Sequence, residues 1–246
     1  MHTLWNSIFY QPIYNALIFI INTITLGDVG FAIIILTIVV KLILLPLTKK
    51  SIKSQILMKK MEPEIKQIKK DFPNKEEQAK KTFELYKKYG TNPFSGCLVA
   101  LLQLPIVLTV YYIFRNLSVV NAPLYHFIHA PTIFNINFLG VFELHSKSII
   151  LAVLAGISQF ILGYLASPMK PKVEIVKEMP ASDTPKNFQE QMSEGMQTNM
   201  KYFLPFLIVY IAYQYSVVVA LYLITTNIFS IIQEWYIRRK LENSLT

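Results

Sequence analysis

Cysteine and charge are both scarce in this chain of 246 residues, and each scarcity removes a class of protein. The single Cys97 excludes an internal disulfide framework and any metal cluster built on cysteine. Charged residues make up 16% of the chain, whereas a soluble domain of this length carries about a quarter. Hydrophobic residues make up 53% and are gathered into long runs, which indicates a helical membrane protein with several spans.

Signatures of nucleic-acid recognition, metal binding and catalysis are also lacking. The net charge of +9 suggests nucleic acid, but no arginine-rich stripe alternates with aromatic residues, so we expect no recognition of a specific nucleic-acid sequence. His126, His129 and His145 have no acidic or cysteine ligand at supporting spacing, so we expect no metal. Without a nucleophile–base pair, we expect neither an enzyme nor a cofactor.

One cation, Lys41, lies inside the apolar run VGFAIIILTIVVKLILLPLT of residues 29–48. Twenty helical residues cover about 30 Å, the thickness of a bilayer's hydrocarbon core. A lysine near the middle of that core costs about 2.5–3.5 kcal/mol on insertion scales. Thr37 lies on the same helix face. Two interpretations stay open: a functional, water-filled cavity, or snorkelling and a structural polar contact.

The apolar runs predict an all-α, polytopic membrane protein. We expect five transmembrane helices, at residues 29–48, 93–115, 147–167, 201–213 and 217–237. Between them lie an external loop and a cytoplasmic loop, and a short cytoplasmic tail follows, at residues 116–146, 168–200 and 238–246 respectively. The basic triplet after the last span places the carboxyl terminus in the cytoplasm and the amino terminus outside. The short spans imply a locally thinned bilayer.

Residues 1–28 are apolar but interrupted by polar side chains. Isoleucine and leucine recur at helical spacing, at Ile13, Leu17, Ile20, Ile21 and Ile24. This pattern favours an amphipathic helix lying in the membrane interface, and the alternative is an additional span.

Residues 49–92 contain most of the positive charge. Thirteen lysines and six acids give this segment a net charge of +7. Its pattern predicts a cytoplasmic helical hairpin that turns at residues 71–74, with Pro63 kinking the first helix. The lysine excess is either a solvated face with a topology signal, or a surface for anionic lipid, ribosomal RNA or an acidic partner. The candidate docking lysines are Lys59, Lys60, Lys66, Lys69, Lys70, Lys80 and Lys81.

Gln103 lies in the second predicted span and Gln159 in the third. Gln103 has two interpretations, an interhelical hydrogen bond or a place in the same cavity as Lys41.

Four segments, in order, carry a resemblance to a known family. They are TIVVKLILLPLT, KMEPEI, ELYKKYGTNPFSGCLVALLQLPIVLTVYY and ALYLITTNIFSIIQEWYIRR. The sequence resembles the YidC family of membrane protein insertases over about residues 5–240, nearly the whole chain. The pattern NPxxGCxxxLxQxPI after a basic hairpin is highly specific.

The resemblance implies a hydrophilic groove that is open to the cytoplasm and to lipid but closed to the outside. Lys41 takes the place of the family's groove cation, which is usually arginine. Gln103 matches the family's glutamine and Tyr222 its substrate-facing tyrosine. With Thr37 and Gln159, these residues form the expected substrate groove.

The resemblance further implies an insertase and chaperone of the bacterial plasma (inner) membrane. Expected partners are nascent membrane proteins, membrane lipid and the ribosome, with a targeting factor and the Sec translocon as further candidates. The alternative function is a small transporter or channel that uses Lys41 as an anion site, although no inverted repeat supports it.

Overall fold

The computed structural model describes residues 5–92, 95–115, 123–130, 134–166 and 203–245. This part of the chain is mostly helical, which confirms the all-α class. The predicted cytoplasmic loop at residues 168–200 lies outside the described residues, as do residues 116–122 and 131–133 of the predicted external loop.

Eight α-helices and one small β-ribbon make up the described fold. A π-helical turn, Asn6–Tyr10, leads into the first helix. The helices are α1 (Gln11–Thr23), α2 (Val29–Ile43), α3 (Leu45–Asp71), α4 (Lys75–Lys88), α5 (Ser95–Arg115), α6 (Ile149–Ala166), α7 (Leu204–Tyr215) and α8 (Val217–Leu245). Between α5 and α6, β1 (Asn137–Phe138) pairs antiparallel with β2 (Phe142–Glu143).

Helix α8 is the centre of the bundle and packs against α2, α3, α5, α6 and α7. Every residue from Val217 to Leu223 is buried, as expected for a helix that is apolar on all sides. The first amides of a helix have no partner within it. In α8 the Val217 amide donates to the Ser146 carbonyl at 3.0 Å. The segment after β2 therefore fixes where α8 begins.

Helices α7 and α8 are separated at Ser216, which has an extended backbone (φ 177°, ψ 170°). The sequence predicts the break between its fourth and fifth spans at residues 213–216.

The helix that contains Lys41 ends earlier than the predicted span of residues 29–48. Helix α2 ends at Ile43, and α3 departs from it at an angle of 61°. Pro46 explains the position, because proline lacks an N–H group and its ring clashes with the carbonyl four residues back. The predicted span of residues 29–48 thus differs from the helix at its carboxyl end. By contrast, α3 continues through Pro63 as one helix.

Helix α1 belongs to the main hydrophobic core. Its buried apolar residues are Tyr14, Leu17, Ile18, Ile20 and Ile21, whereas Ile24 of the predicted stripe is 55% exposed. Whether residues 1–28 lie on or cross the membrane stays a prediction.

Length and composition single out few membrane spans in the described part of the chain. The stretch Val217–Leu241 of α8 is long and apolar enough to cross a bilayer by itself. Helices α2 and α3 pass the same test only when taken together, across their bend. The apolar parts of α5, α6 and α7 are shorter, at 10–17 residues.

Helices α3 and α4 contact each other near both ends of α4. Asn74 begins α4 by accepting a hydrogen bond from the Glu76 amide at 3.0 Å. At the far end, the Tyr89 hydroxyl donates to the Glu64 carboxylate of α3. This hydrogen bond raises the pKa of the Tyr89 phenol, because the neighbouring carboxylate disfavours the phenolate.

Candidate functional site

Lys41 is buried between α2 and α8. Its side chain is in the last turn of α2, and the residue is 8% exposed. The Lys41 ammonium donates a hydrogen bond to Ser230 Oγ of α8 at 2.9 Å. Gln233 Nε2, one turn further along α8, lies 3.5 Å from the Lys41 carbonyl oxygen. The ammonium is therefore directed toward a neighbouring helix.

The partner of Lys41 is neutral. Within the described ranges, no aspartate or glutamate forms an ion pair with its ammonium. An ammonium carries three N–H donors. One is used by Ser230, so two remain for a carboxylate or a carbonyl group.

A polar stripe on α8 faces this region. Tyr222, Thr226, Ser230 and Gln233 recur at intervals of four, four and three residues, so they share one face of the helix. From Tyr222 to Gln233 the stripe covers about 16 Å of helix. Sequence analysis identified Tyr222 alone, although this spacing in an apolar helix is a signal that could have found the others.

Gln103 of α5 reaches the same stripe. Its Nε2 donates a hydrogen bond to the Tyr222 hydroxyl, and Tyr222 is 2% exposed. The interhelical bond that the sequence offered as one interpretation of Gln103 is thus present. In the described structure the buried oxygens Gln103 Oε1 and Gln233 Oε1 have no hydrogen-bond partner. Thr226 Oγ1 of the stripe is a third buried oxygen without a partner among the described residues, so this region combines one cation with three open acceptors.

Thr37 and Gln159 relate differently to this cluster. Thr37 is buried one turn before Lys41, and its hydroxyl donates to the Ile33 carbonyl at 2.7 Å. Gln159 lies on α6 and is partly exposed. No hydrogen bond among the described side chains joins it to Lys41, Gln103 or Tyr222.

A second polar contact, which the sequence did not reveal, joins α6 to α8. Asn227 Nδ2 donates to Ser158 Oγ at 3.0 Å, and both residues are buried. Asn227 is not in the repeat that starts at Tyr222, so its contact is a separate interhelical bond.

The seven candidate docking lysines on α3 and α4 are all exposed. Two of them have acidic neighbours on their own helix. The Lys66 ammonium lies 2.8 Å from the Glu62 carboxylate, and the Lys81 ammonium 3.0 Å from the Glu84 carboxylate. The Lys81 hydrogen bond lowers the pKa of Glu84.

Metal ligands do not cluster in the described ranges: no group of three or more His, Cys, Asp or Glu side chains could hold an ion there. The ring nitrogen Nε2 of His145 lies 3.2 Å from the Phe114 carbonyl oxygen instead.

A helical bundle with a buried cation that faces polar side chains is characteristic of membrane proteins that handle polar or charged groups. Comparison with known proteins makes this class specific. Residues 20–244 match the family model described as 60Kd inner membrane protein, and the chain belongs to this family, which includes the YidC insertases.

Several relatives are named membrane protein insertase YidC. The one from Oceanobacillus iheyensis is 31% identical over 241 residues, which cover 96% of this chain and 84% of the relative. The one from Fusobacterium nucleatum is 29% identical, with 95% and 98% covered. The one from Clostridium tetani is 40% identical over 140 residues, which span 56% of this chain and 58% of the relative.

A solved structure shares the fold. It is titled as an active YidC insertase with the first transmembrane domain resolved, and it matches 94% of this chain with a TM-score of 0.55 at 22% identity. This chain spans 46% of that longer chain.

Proposed function

We propose that this protein is a membrane protein insertase that moves short polar flanks of nascent membrane proteins across the bacterial plasma membrane. The observation that carries the proposal is Lys41, a residue that is 8% exposed on an apolar helix and whose ammonium has a neutral hydroxyl as its partner. A buried charge in this environment is energetically costly, and charges of this kind in membrane helices usually mark a functional site. The family membership and the names of the relatives support the same reading.

The proposed membrane layout has five spans, with the amino terminus outside and the carboxyl terminus in the cytoplasm. Helices α2, α5, α6, α7 and α8 are the spanning elements. Helix α7 has 12 residues, which is about 18 Å of helix against a core of about 30 Å. Short helices of this kind are accommodated when the bilayer becomes thinner around them. A thinner bilayer also shortens the path that a polar flank must cross.

In the proposed mechanism, the polar face that joins α2, α5 and α8 lines a groove open to the cytoplasm and to lipid. The acidic flank of a substrate enters this groove and is attracted to Lys41. The two ammonium N–H groups that Ser230 leaves open donate hydrogen bonds to the carboxylates of the flank. Gln103 Oε1 and Gln233 Oε1, which have no partner among the described residues, accept hydrogen bonds from its amide N–H groups. The hydrophobic segment then leaves along apolar helix faces into lipid. No covalent step is required.

Lysine and arginine differ at this position in one testable respect. Lysine is a point charge with rotatable donors, whereas arginine presents a planar fork suited to bidentate binding of a carboxylate. Attraction by charge alone is retained when one replaces the other. The Lys41→Arg variant should therefore insert the same substrates as the unmodified protein.

The docking lysines of α3 and α4 are the proposed contact for the ribosome or a targeting factor. Their exposure leaves them accessible to an acidic surface. Lys59→Glu together with Lys80→Glu should weaken ribosome binding to proteoliposomes, and the loss should depend strongly on salt. If ribosome binding by this double variant were unchanged at low salt, the docking lysines would not be the contact for the ribosome. The Sec translocon remains a candidate partner.

The test of the proposal is insertion into proteoliposomes by Lys41→Ala. The substrates are a matched pair, one with an acidic flank and one in which the acids are replaced by their amides. A charge pair at about 4 Å is worth about 1–4 kcal/mol between water and a protein surface, so insertion of the acidic substrate should fall about tenfold. The amide substrate should be affected much less. Lys49→Ala, an exposed lysine eight residues on, is the matched control.

If Lys41→Ala inserts the acidic substrate as well as the unmodified protein does, or if the substitution lowers insertion of both substrates by the same factor, the attractive role of the charge is refuted. Flux of small anions through the purified protein, lost in Lys41→Ala, would instead favour the transporter or channel.

A further inference from the structure

The cytoplasmic end of α8 carries a second chemical arrangement that the groove does not use. Trp235, Tyr236, Arg239 and Lys240 line a surface cleft of about 360 Å³. Both rings are exposed, Trp235 at 57% and Tyr236 at 59%. We propose that this cleft binds the phosphate headgroup of an anionic phospholipid.

The basic triplet at residues 238–240 divides into one inward and two outward cations. Arg238 Nε lies 2.6 Å from the Glu234 carboxylate, and Arg238 Nη2 donates to Gln55 Oε1 of α3 at 3.3 Å. Arg238 is thus committed to holding α8 against α3. Arg239 and Lys240 are exposed, and no ion pair with a described carboxylate neutralises either of them.

Each outward cation follows an aromatic residue by one helical turn. Trp235 precedes Arg239, and Tyr236 precedes Lys240, so the two pairs stand side by side on α8. The Arg239 guanidinium lies over the Trp235 ring at 5.6 Å from its centroid. Stacking restricts the guanidinium while its N–H groups stay available, which suits a planar donor for a phosphate.

The surface before the cleft favours a lipid over a soluble phosphate or RNA. Ile228 and Ile232 precede Trp235 and Arg239 on the same face, and they are 49% and 57% exposed. Along this stripe the chemistry changes from aliphatic to aromatic to cationic. A phospholipid presents acyl chain, interface and phosphate in the same order. A soluble anion would make no apolar contact with the exposed isoleucines.

The lipid should be anionic because the cleft contains two cations. Each basic residue near an anionic membrane surface favours binding about fivefold. A phosphatidylcholine headgroup carries its own quaternary ammonium, so its net attraction is small. The inference rests on α8 spanning the membrane as proposed, but not on insertion activity.

The chain provides its own probe for the test. It has two tryptophans, so Trp5→Phe leaves Trp235 as the single fluorophore, inside the proposed site. The full chain is reconstituted into phosphatidylcholine bilayers that contain a small fraction of brominated phosphatidylglycerol, or the same fraction of brominated phosphatidylcholine. Bromine quenches tryptophan at short range. We expect the brominated phosphatidylglycerol to quench as if locally enriched about fivefold or more.

The variant Arg239→Gln with Lys240→Gln, in the Trp5→Phe background, should lose this preference. Lys75→Gln with Lys87→Gln removes two exposed cations from α4 that are not among the docking lysines, and is the control for net charge; it should keep the preference. Equal quenching by both lipids in the Trp5→Phe protein would refute the lipid site but would agree with α8 spanning the membrane. Absence of quenching by either lipid would overturn both.

Two further arms separate the sources of phosphate. Loss of the lipid preference in millimolar inorganic phosphate, at constant ionic strength, would reassign the cleft to a free anion. Its loss on addition of a short single-stranded RNA, with an equal concentration of polyglutamate as the charge control, would reassign it to nucleic acid. Retention in both arms supports the lipid site.

Discussion

Helices α6 and α7 approach each other closely at Gly156, and enlarging this residue by one carbon should separate them. A Cβ atom at Gly156 would lie 2.2 Å from Val209 Cγ2 and 3.3 Å from the Pro205 carbonyl oxygen, both on α7. Small residues permit such approach between membrane helices. The substitution Gly156→Ala is therefore a direct test of this packing.

The expected sign is opposite to that of helix propensity. Alanine in a helix interior is more favourable than glycine by about 0.5–1 kcal/mol. Ordinary contact begins near 3.4 Å, so Val209 Cγ2 must move by about 1.2 Å, and the nearby Pro205 oxygen is backbone that cannot move without its helix. Overpacking costs about 1–3 kcal/mol, so we expect a net loss of about 1–2 kcal/mol.

The assay is reversible unfolding of the purified protein in mixed micelles, with Val209→Ala as the second arm. Val209→Ala removes the contacted methyl groups, so the double variant should be more stable than the sum of the two single effects predicts. A coupling of about 1 kcal/mol or more is expected for side chains in contact. Val153→Ala on the exposed face of α6 is the control. The close approach would be refuted if Gly156→Ala stabilised the protein. It would also be refuted if the free-energy changes of the two single variants added up to that of the double variant.

Three other substitutions test contacts near the site and at the ends of the bundle. Ser230→Ala removes the acceptor that fixes Lys41, so insertion of acidic-flank substrates should fall severalfold in proteoliposomes, with no further fall in a Lys41→Ala background. Asn15→Ala removes two hydrogen bonds that hold the segment 123–130 on α1, and a third to the Gln11 carbonyl, which should cost about 2–3 kcal/mol and speed amide exchange in that segment. Glu234→Gln weakens a charge-assisted bond to Arg238 and should cost about 1.5–3 kcal/mol in micelle unfolding.

Lys41 illustrates how far sequence reasoning reaches. A lysine within twenty apolar residues predicts that its charge has a special environment, because the insertion cost is high. Its partner Ser230 lies 189 residues further along the chain. Which polar side chain meets it depends on how α2 and α8 pack, and no local pattern records that. The repeat from Tyr222 to Gln233 was visible in the sequence, and it would have limited the candidate partners of Lys41 to the residues on one face of α8.

The two prolines near α3 show a different limit. Sequence reasoning assigned a kink to Pro63, whereas the large bend lies at Leu44, before Pro46. Pro63 removes a hydrogen bond inside α3, whereas Pro46 lies in the first turn of α3, where an N–H group would have no partner within the helix. After the bend near Pro46, α3 packs its Ile52 and Ile56 against Ile237 of α8. Proline in the sequence therefore marks where a helix can end or bend, and the pattern did not distinguish Pro46 from Pro63 in this respect.

The neutral partner of Lys41 bears on how the proposed groove would release the substrate that it binds. A buried carboxylate beside Lys41 would be strongly attracted, and an arriving acidic flank would have to replace a full ion pair. A hydroxyl that accepts from a charged donor contributes about 1.5–3 kcal/mol. Ser230 can therefore orient the ammonium without saturating it, and a carboxylate can join it or displace it at modest cost. Binding that is oriented but incomplete is what a site needs when its substrate must leave again for the lipid.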